Sequence, residues 1–194
     1  VGAAYHIPSG SHPDYPAVKA LTSILGDEPS GRLYQGMVET ELASNVYALA
    51  YGFREPGLLM TLAEIPEQNS IEQARATMLD LLEAELQSEP ITEAEVERAK
   101  QQILKDRDLE AADTDRIAVA LSDWAAQGDW RLYFLYRDGV EALTVDQVRD
   151  VAEKYLVRNN RTVGLFIPSE ESERVRVPES PDLNALLADY KGRE

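Results

Sequence analysis

The chain has 194 residues, no cysteine and a formal charge of −16, set by 35 acidic against 19 basic side chains. Without a thiol it forms no disulfide, iron–sulfur cluster or thiolate zinc site, and an acidic surface lacks the clustered Lys and Arg that nucleic acid requires. The length fits one large domain with its own core, and no apolar run approaches the roughly 20 residues of a membrane span.

Ala3 to Pro8 reads as a strand closed by proline, followed by a loop over Ser9-Gly10-Ser11-His12-Pro13. Val18, Leu21, Ile24 and Leu25 recur at helical spacing, which predicts an amphipathic helix from Asp14 to Leu25 that stops near Gly26. A shorter helix is expected from Gly31 to Leu42. Val46–Phe53 and Leu58–Ile65 are β-rich, and Arg54-Glu55-Pro56-Gly57 between them supplies turn residues, so the pair reads as an antiparallel hairpin. Ser70 with Gln73, Thr92 with Glu95 and Thr144 with Gln147 then mark three capping boxes.

The first of those helices carries Ile71, Ala74, Met78, Leu82 and Leu86 on one stripe and ends at Ser88-Glu89-Pro90. The second buries Val96, Ala99 and Ile103, with an exposed half from Lys105 to Asp108. Asp113-Thr114-Asp115 breaks it before a helix with Ile117, Leu121 and Trp124. Gly128-Asp129 precedes the aromatic run from Trp130 to Tyr136. The third capped helix, 144 to 156, buries Val148, Val151, Ala152 and Tyr155. Asn159-Asn160 turns into a strand over Thr162–Ile167. From Pro168 the chain is polar and proline-bearing, so 1–168 reads as the domain and 169–194 as a tail or interdomain linker. Within that tail Leu183, Leu186, Leu187 and Tyr190 predict one short helix that docks on something. Separated strands, a hairpin and long helical excursions predict an α+β domain, one mainly antiparallel sheet covered by helices. A start at Val1 rather than Met is expected for a piece of a longer chain.

The ordered set "YHIP…HPDYPAV", "LTSILGDEPSGRLYQGMVE", "ITEAEVERAKQQIL", "LTVDQVRDVAEKYL" and "NRTVGLFIPSE" resembles a domain of the pitrilysin/insulinase family of zinc metallopeptidases. The resemblance implies the layered sheet of the mitochondrial-processing-peptidase-like metallohydrolases. It also implies two or four such domains in a clam-shell around an unfolded peptide. In the zinc-bearing domain His-x-x-Glu-His on the first helix holds the metal, with the intervening Glu as proton acceptor. Here Ala17, Ala20 and Leu21 stand at the corresponding places, and none has a donor atom. An Arg and a Tyr that reach the substrate from a facing domain would fall at Val38 and Asn45, which cannot replace them. Arg32 and Tyr34 match the start of the second helix, a structural place.

The resemblance therefore implies an inactive domain, with no catalytic residue, metal ligand or cofactor of its own and zinc in a separate catalytic domain. Its expected partners are that domain, the second half of the same polypeptide and a peptide substrate, without nucleic acid or membrane span. The rival reading is a stand-alone structural or peptide-binding module, like the core proteins of the respiratory complex. Bacterial members of this sort imply export to the periplasm, although a cysteine-free chain suits the cytoplasm as well.

Four other groupings stand out in the sequence. His6, His12 and Asp14 span a strand and a loop without a supporting carboxylate and read as surface groups. Ser9-Gly10-Ser11 lacks the spacing of a nucleophile elbow, and Ser30-Gly31-Arg32 lacks that of a phosphate loop. The aromatic cluster of Trp124, Trp130, Tyr133, Phe134 and Tyr136 reads first as packing at a helix corner. Its functional reading is an interdomain contact through Trp124, Trp130, Tyr133 and Tyr136.

Overall fold

The computed structural model describes residues 1–169 and 175–192. Its elements in chain order are β1 (Gly2–Ile7), α1 (Tyr15–Gly26), β2 (Asn45–Tyr51), β3 (Gly57–Glu64), α2 (Ile71–Leu79), α3 (Glu85–Ser88), α4 (Glu93–Ala111), α5 (Thr114–Ala126), α6 (Leu132–Glu141), α7 (Val145–Tyr155), β4 (Arg161–Gly164) and α8 (Leu183–Leu187). Among the described residues the strands make one sheet in the order β2-β3-β1-β4. Every neighbouring pair is antiparallel, with Tyr5 opposite Leu59 on one side and Arg161 on the other. The expected α+β architecture is the one observed.

Alternation along the strands sends Val46, Leu59, Thr61, Ala63, Ala3, Tyr5 and Ile7 to the inner face, where the helices bury them. α1 and α7 pack on that layer, and α1 also packs against α4 and α6. Pro16 lies in the first turn of α1, where its missing N–H costs no hydrogen bond. Gly26 ends it, and a Cβ there would stand 2.8 Å from the Ala48 backbone nitrogen. Glycine at this place is what lets the helix end press on β2.

Two polar clamps fasten the helical layer, one to the sheet and one within itself. Glu83 accepts the Tyr5 hydroxyl at 2.9 Å and both of its oxygens accept from Arg161 Nη1 at 2.7 Å. Burial, followed by that carboxylate, pushes the Tyr5 phenol pKa up. Arg32 donates to the two oxygens of Glu95 at 2.8 and 3.0 Å and to the carbonyl of Glu89 at 2.6 Å. Glu95 is also the reciprocal member of the Thr92 capping box. Burial opposes ionisation of Glu95, but Arg32 and Thr92 outweigh it and hold the carboxyl at about 2. Arg32 thus has the structural place expected of it.

Local departures from the sequence reading have physical causes. The helix expected from Gly31 to Leu42 is shorter: after Arg32 and Leu33 it widens into a π-type turn over Tyr34–Val38 and then unwinds. A second π-type turn, Asp80–Ala84, shifts the stripe of the following helix, so Leu81 joins Leu82 in the core while Leu86 is only half-buried. The Thr92 and Thr144 boxes are complete. At Ser70 the hydroxyl accepts from Gln73 N at 3.3 Å, which is one half of the box. Tyr155 is half-buried, because its hydroxyl turns outward to Asp14. The strand expected to reach Ile167 ends at Gly164, where β1 begins at Gly2 and offers no further partner. α8 forms as expected, but Leu183, Leu186, Leu187 and Tyr190 remain 56–74% exposed. Of the expected tail, residues 170–174 and 193–194 lie outside the described residues.

Candidate functional site

α1 is the helix that would carry metal ligands. Ala17, Ala20 and Leu21 are at most 2% exposed, packed among the core side chains. Aliphatic groups at these positions offer no lone pair to a cation, so the residues present do not fit zinc. Val38 is half-buried at the end of its turn. Asn45 opens β2, with its amide donating to the Tyr47 hydroxyl at 2.6 Å and its carbonyl accepting from Val46 N at 2.8 Å.

Just before α1, Asp14 accepts from Lys154 Nζ and from the Tyr155 hydroxyl, both at 2.8 Å. Burial pulls its carboxyl pKa upward, but these two donors prevail and hold it below the ordinary value. His12 Nδ1 accepts from Asp14 N at 3.0 Å, while His6 is exposed on the sheet. Asp14 and His12 are therefore used in a loop-to-helix clasp, and His6 takes no part in it. Among the described residues there is no group of three or more His, Asp or Glu placed to hold a metal ion.

The aromatic residues divide into two layers. Trp124, Tyr136 and Tyr15 form an inner cluster with ring centroids 5.3 to 6.3 Å apart. The Arg107 guanidinium lies 3.8 Å from the Tyr133 ring centre and donates to the Tyr133 carbonyl at 2.7 Å. Tyr133 and Tyr136 are buried and Trp124 half-buried, so these three rings support α5 and α6 from inside. Trp130 is 52% exposed and stacks edge-on against Phe134, 5.9 Å away. On another flank of α6, Leu135, exposed by 62%, lines with Leu132 a groove of about 230 Å³ that runs between α6 and the loop at Ser11, His12 and Pro13. Leu135 was not singled out from the sequence; its place follows only from the helical phase of α6, where Tyr133, Tyr136 and Val140 face inward.

A second apolar surface is the sheet's outer face. Tyr47, Leu49, Tyr51 and Leu62 are 38–45% exposed there, with Met60 and Leu58 half-buried between them. The signal for it lies in the strands themselves, which are apolar at both parities instead of alternating with polar residues. At one end this face deepens into a groove of about 1040 Å³ bounded by Met60, Leu62, Phe166 and Ile167. A third recess of about 490 Å³, between α1, α4 and α5, mixes Lys19, Arg107 and Arg116 with Asp27, Asp106, Glu110 and Asp123. Opposed charges there favour no single class of ligand. No helix among the described residues is long and apolar enough to cross a membrane.

Among the described residues the geometry is that of a scaffold with surfaces for packing. The sequence profile described as "Peptidase M16 inactive domain" matches residues 1–103. The chain belongs to that family. It is 39% identical to a candidate zinc protease from Bordetella pertussis Tohama I, covering 87% of this chain and 93% of that one with a TM-score of 0.80. The inactive peptidase domain of a candidate zinc protease from Bordetella parapertussis is also 39% identical, over 91% and 94% of the two chains with a TM-score of 0.82. A Helicobacter pylori protease at 22% identity shares the fold, with a TM-score of 0.76; the match covers 82% of this chain but 39% of that one. No curated protein sequence gives a match. The inactive peptidase domain thus bears out the resemblance carried by the sequence motifs.

Proposed function

We propose that this is the non-catalytic domain of a zinc metalloendopeptidase, which packs on a separate zinc-bearing domain and walls the chamber that holds the peptide. The observation that carries the reading is the burial of Ala17, Ala20 and Leu21: the helix that would grip a metal has become core. The kinship with two candidate zinc proteases supports a peptidase as the parent, with zinc and proton transfer both in the other domain.

The contact with that domain centres on Trp130, Phe134 and Leu135, with Trp124, Tyr133 and Tyr136 holding α6 rigid beneath. Exposed aromatic rings such as Trp130 and Phe134, together with Leu135 at an apolar groove on the same helix, are of the composition favoured at interfaces. Titrating this chain into the His-x-x-Glu-His domain of the same polypeptide, by calorimetry, tests the reading. Saturable binding is expected, weakened about tenfold or more by Leu135→Asp, roughly the 1.4 kcal/mol of one lost apolar anchor. Absence of binding, or binding indifferent to Leu135→Asp and Trp130→Ala, contradicts it.

A further inference from the structure

β1 lies between β3 and β4, yet at one end it stops short of both neighbours. Gly2 is paired with Leu62 and Gly164 there, and one residue on Val1 N donates to Ala63 O at 2.9 Å while Ala63 N donates back to Val1 O at 2.8 Å. Past that pair Glu64 and Ile65 continue on one side, and Leu165, Phe166 and Ile167 on the other, all lining the groove of about 1040 Å³. A central strand shorter than its two neighbours leaves a notch in the sheet. On the reading of this chain as one domain of a longer polypeptide, we propose that the notch seats an extended strand in line with β1. That strand is the backbone joined to Val1 in the polypeptide that carries the zinc-bearing domain.

Three observations fit this occupant. First, the exchange between Val1 and Ala63 is a hydrogen-bonded pair of an antiparallel ladder, so the Val1 nitrogen stands where a strand amide stands. Burial holds the pKa of its ammonium below the ordinary value, a desolvation that a neutral peptide nitrogen at this place would escape. A residue attached to that nitrogen is directed into the notch.

Second, the alternation of bonded pairs fixes what the notch offers. Carried past Val1, the register lets the first preceding residue exchange its bonds with Phe166 and the second with Ile65. Among the described residues the backbones of Ile65 and Phe166 pair with no other strand. A strand between them satisfies both edges at once. Third, Glu64 and Glu67 are the only charged residues lining the groove among those described, beside Met60, Leu62 and Phe166. Alternation of faces sets the side chain before Val1 on the outer face with Gly2 and Ala4, where an apolar group fits against Leu62 and Phe166.

Native-state hydrogen exchange at the Ile65 and Phe166 amides, read by NMR, tests the seat. The 194-residue chain is compared with two forms extended ahead of Val1, one by Lys-Val-Thr-Val and one by Lys-Val-Pro-Pro. The first supplies both ladder pairs; the second, equal in length and charge, lacks their N–H donors. Both amides are expected to exchange about tenfold more slowly in the Lys-Val-Thr-Val form, with circular dichroism unchanged, and at the parent rate in the proline form. Unslowed exchange in the Lys-Val-Thr-Val form, or equal slowing by the proline form, overturns the proposal. Equal slowing of the unextended chain by free acetyl-Lys-Val-Thr-Val-amide at micromolar concentration assigns the notch to a separate peptide and overturns it too, since a fused segment acts at an effective concentration near millimolar. So does an unextended chain that sediments as a dimer with both amides already protected, which gives the notch to a second copy. No zinc-bearing domain enters the measurement, so its outcome is independent of binding through Leu135.

Discussion

The two faces of the sheet are made from the same strands and nearly the same residue types, yet they end in different surroundings. On the inner face Tyr5 and Leu59 are fully buried beneath the helices, and on the outer face Tyr47, Leu49 and Leu62 remain open. An antiparallel sheet with one wet face ordinarily alternates apolar with polar. Here the alternation is apolar with apolar, so the outer face carries the composition of a surface meant to be covered. The helices offer a parallel contrast: α1 turns Ala17, Ala20 and Leu21 into the core, whereas the stretch of α6 exposes Trp130, Phe134 and Leu135.

The contrast can be broken hardest through the clamps on the helical side. Arg32→Met strands the Glu95 carboxylate, whose side chain is only 14% exposed, without its guanidinium. Removing one partner of so enclosed a pair is expected to cost about 3–4 kcal/mol in urea denaturation. A loss under about 1 kcal/mol would mean that the clamp is ornamental. Next comes the direct comparison of the faces. Leu59→Ala should cost about 3 kcal/mol through a cavity that cannot collapse, and its register-shifted counterpart Leu62→Ala under about 1 kcal/mol. Equal costs would erase the distinction between an inner and an outer face.

Acid provides a third, smaller effect. Glu95 titrates near 2 in the fold against an ordinary 4.5, so its stabilising contribution is complete above about pH 4.5 and is lost as pH falls toward 2. That contribution is roughly 2–3 kcal/mol. In Arg32→Met the acid limb of the stability–pH curve should flatten; an unchanged limb would place the titrating group elsewhere. The smallest expected change is on α6: Leu135→Asp should alter folding stability by no more than about 0.5 kcal/mol while weakening domain association. A large stability loss would show the leucine to be part of the core instead of a contact.

Much of this was legible in the residues. The Thr92 and Thr144 caps, the Arg54–Gly57 turn and the apolar period of α1 are local signals, and local signals place helices, hairpins and their starts. The missing metal ligands were legible too, since alanine and leucine have no donor wherever they sit. The π-type turns at Tyr34–Val38 and Asp80–Ala84 were not, because one extra residue per turn leaves no mark in composition. Nor was the end of β4 at Gly164, which is decided by how far β1 extends beside it. The division of the aromatics was equally hidden: Tyr133 and Trp130 are alike in sequence terms, and only the packing of α6 against α4 and α5 turns one inward and leaves the other outside.

The most direct test of the account is zinc content and peptide cleavage measured on the same purified chain. We predict well under one zinc per chain after dialysis against the metal and no cleavage of an unfolded peptide, with or without added zinc. One tightly held zinc per chain, together with cleavage that a chelator abolishes and zinc restores, would contradict the claim that α1 has exchanged catalysis for packing.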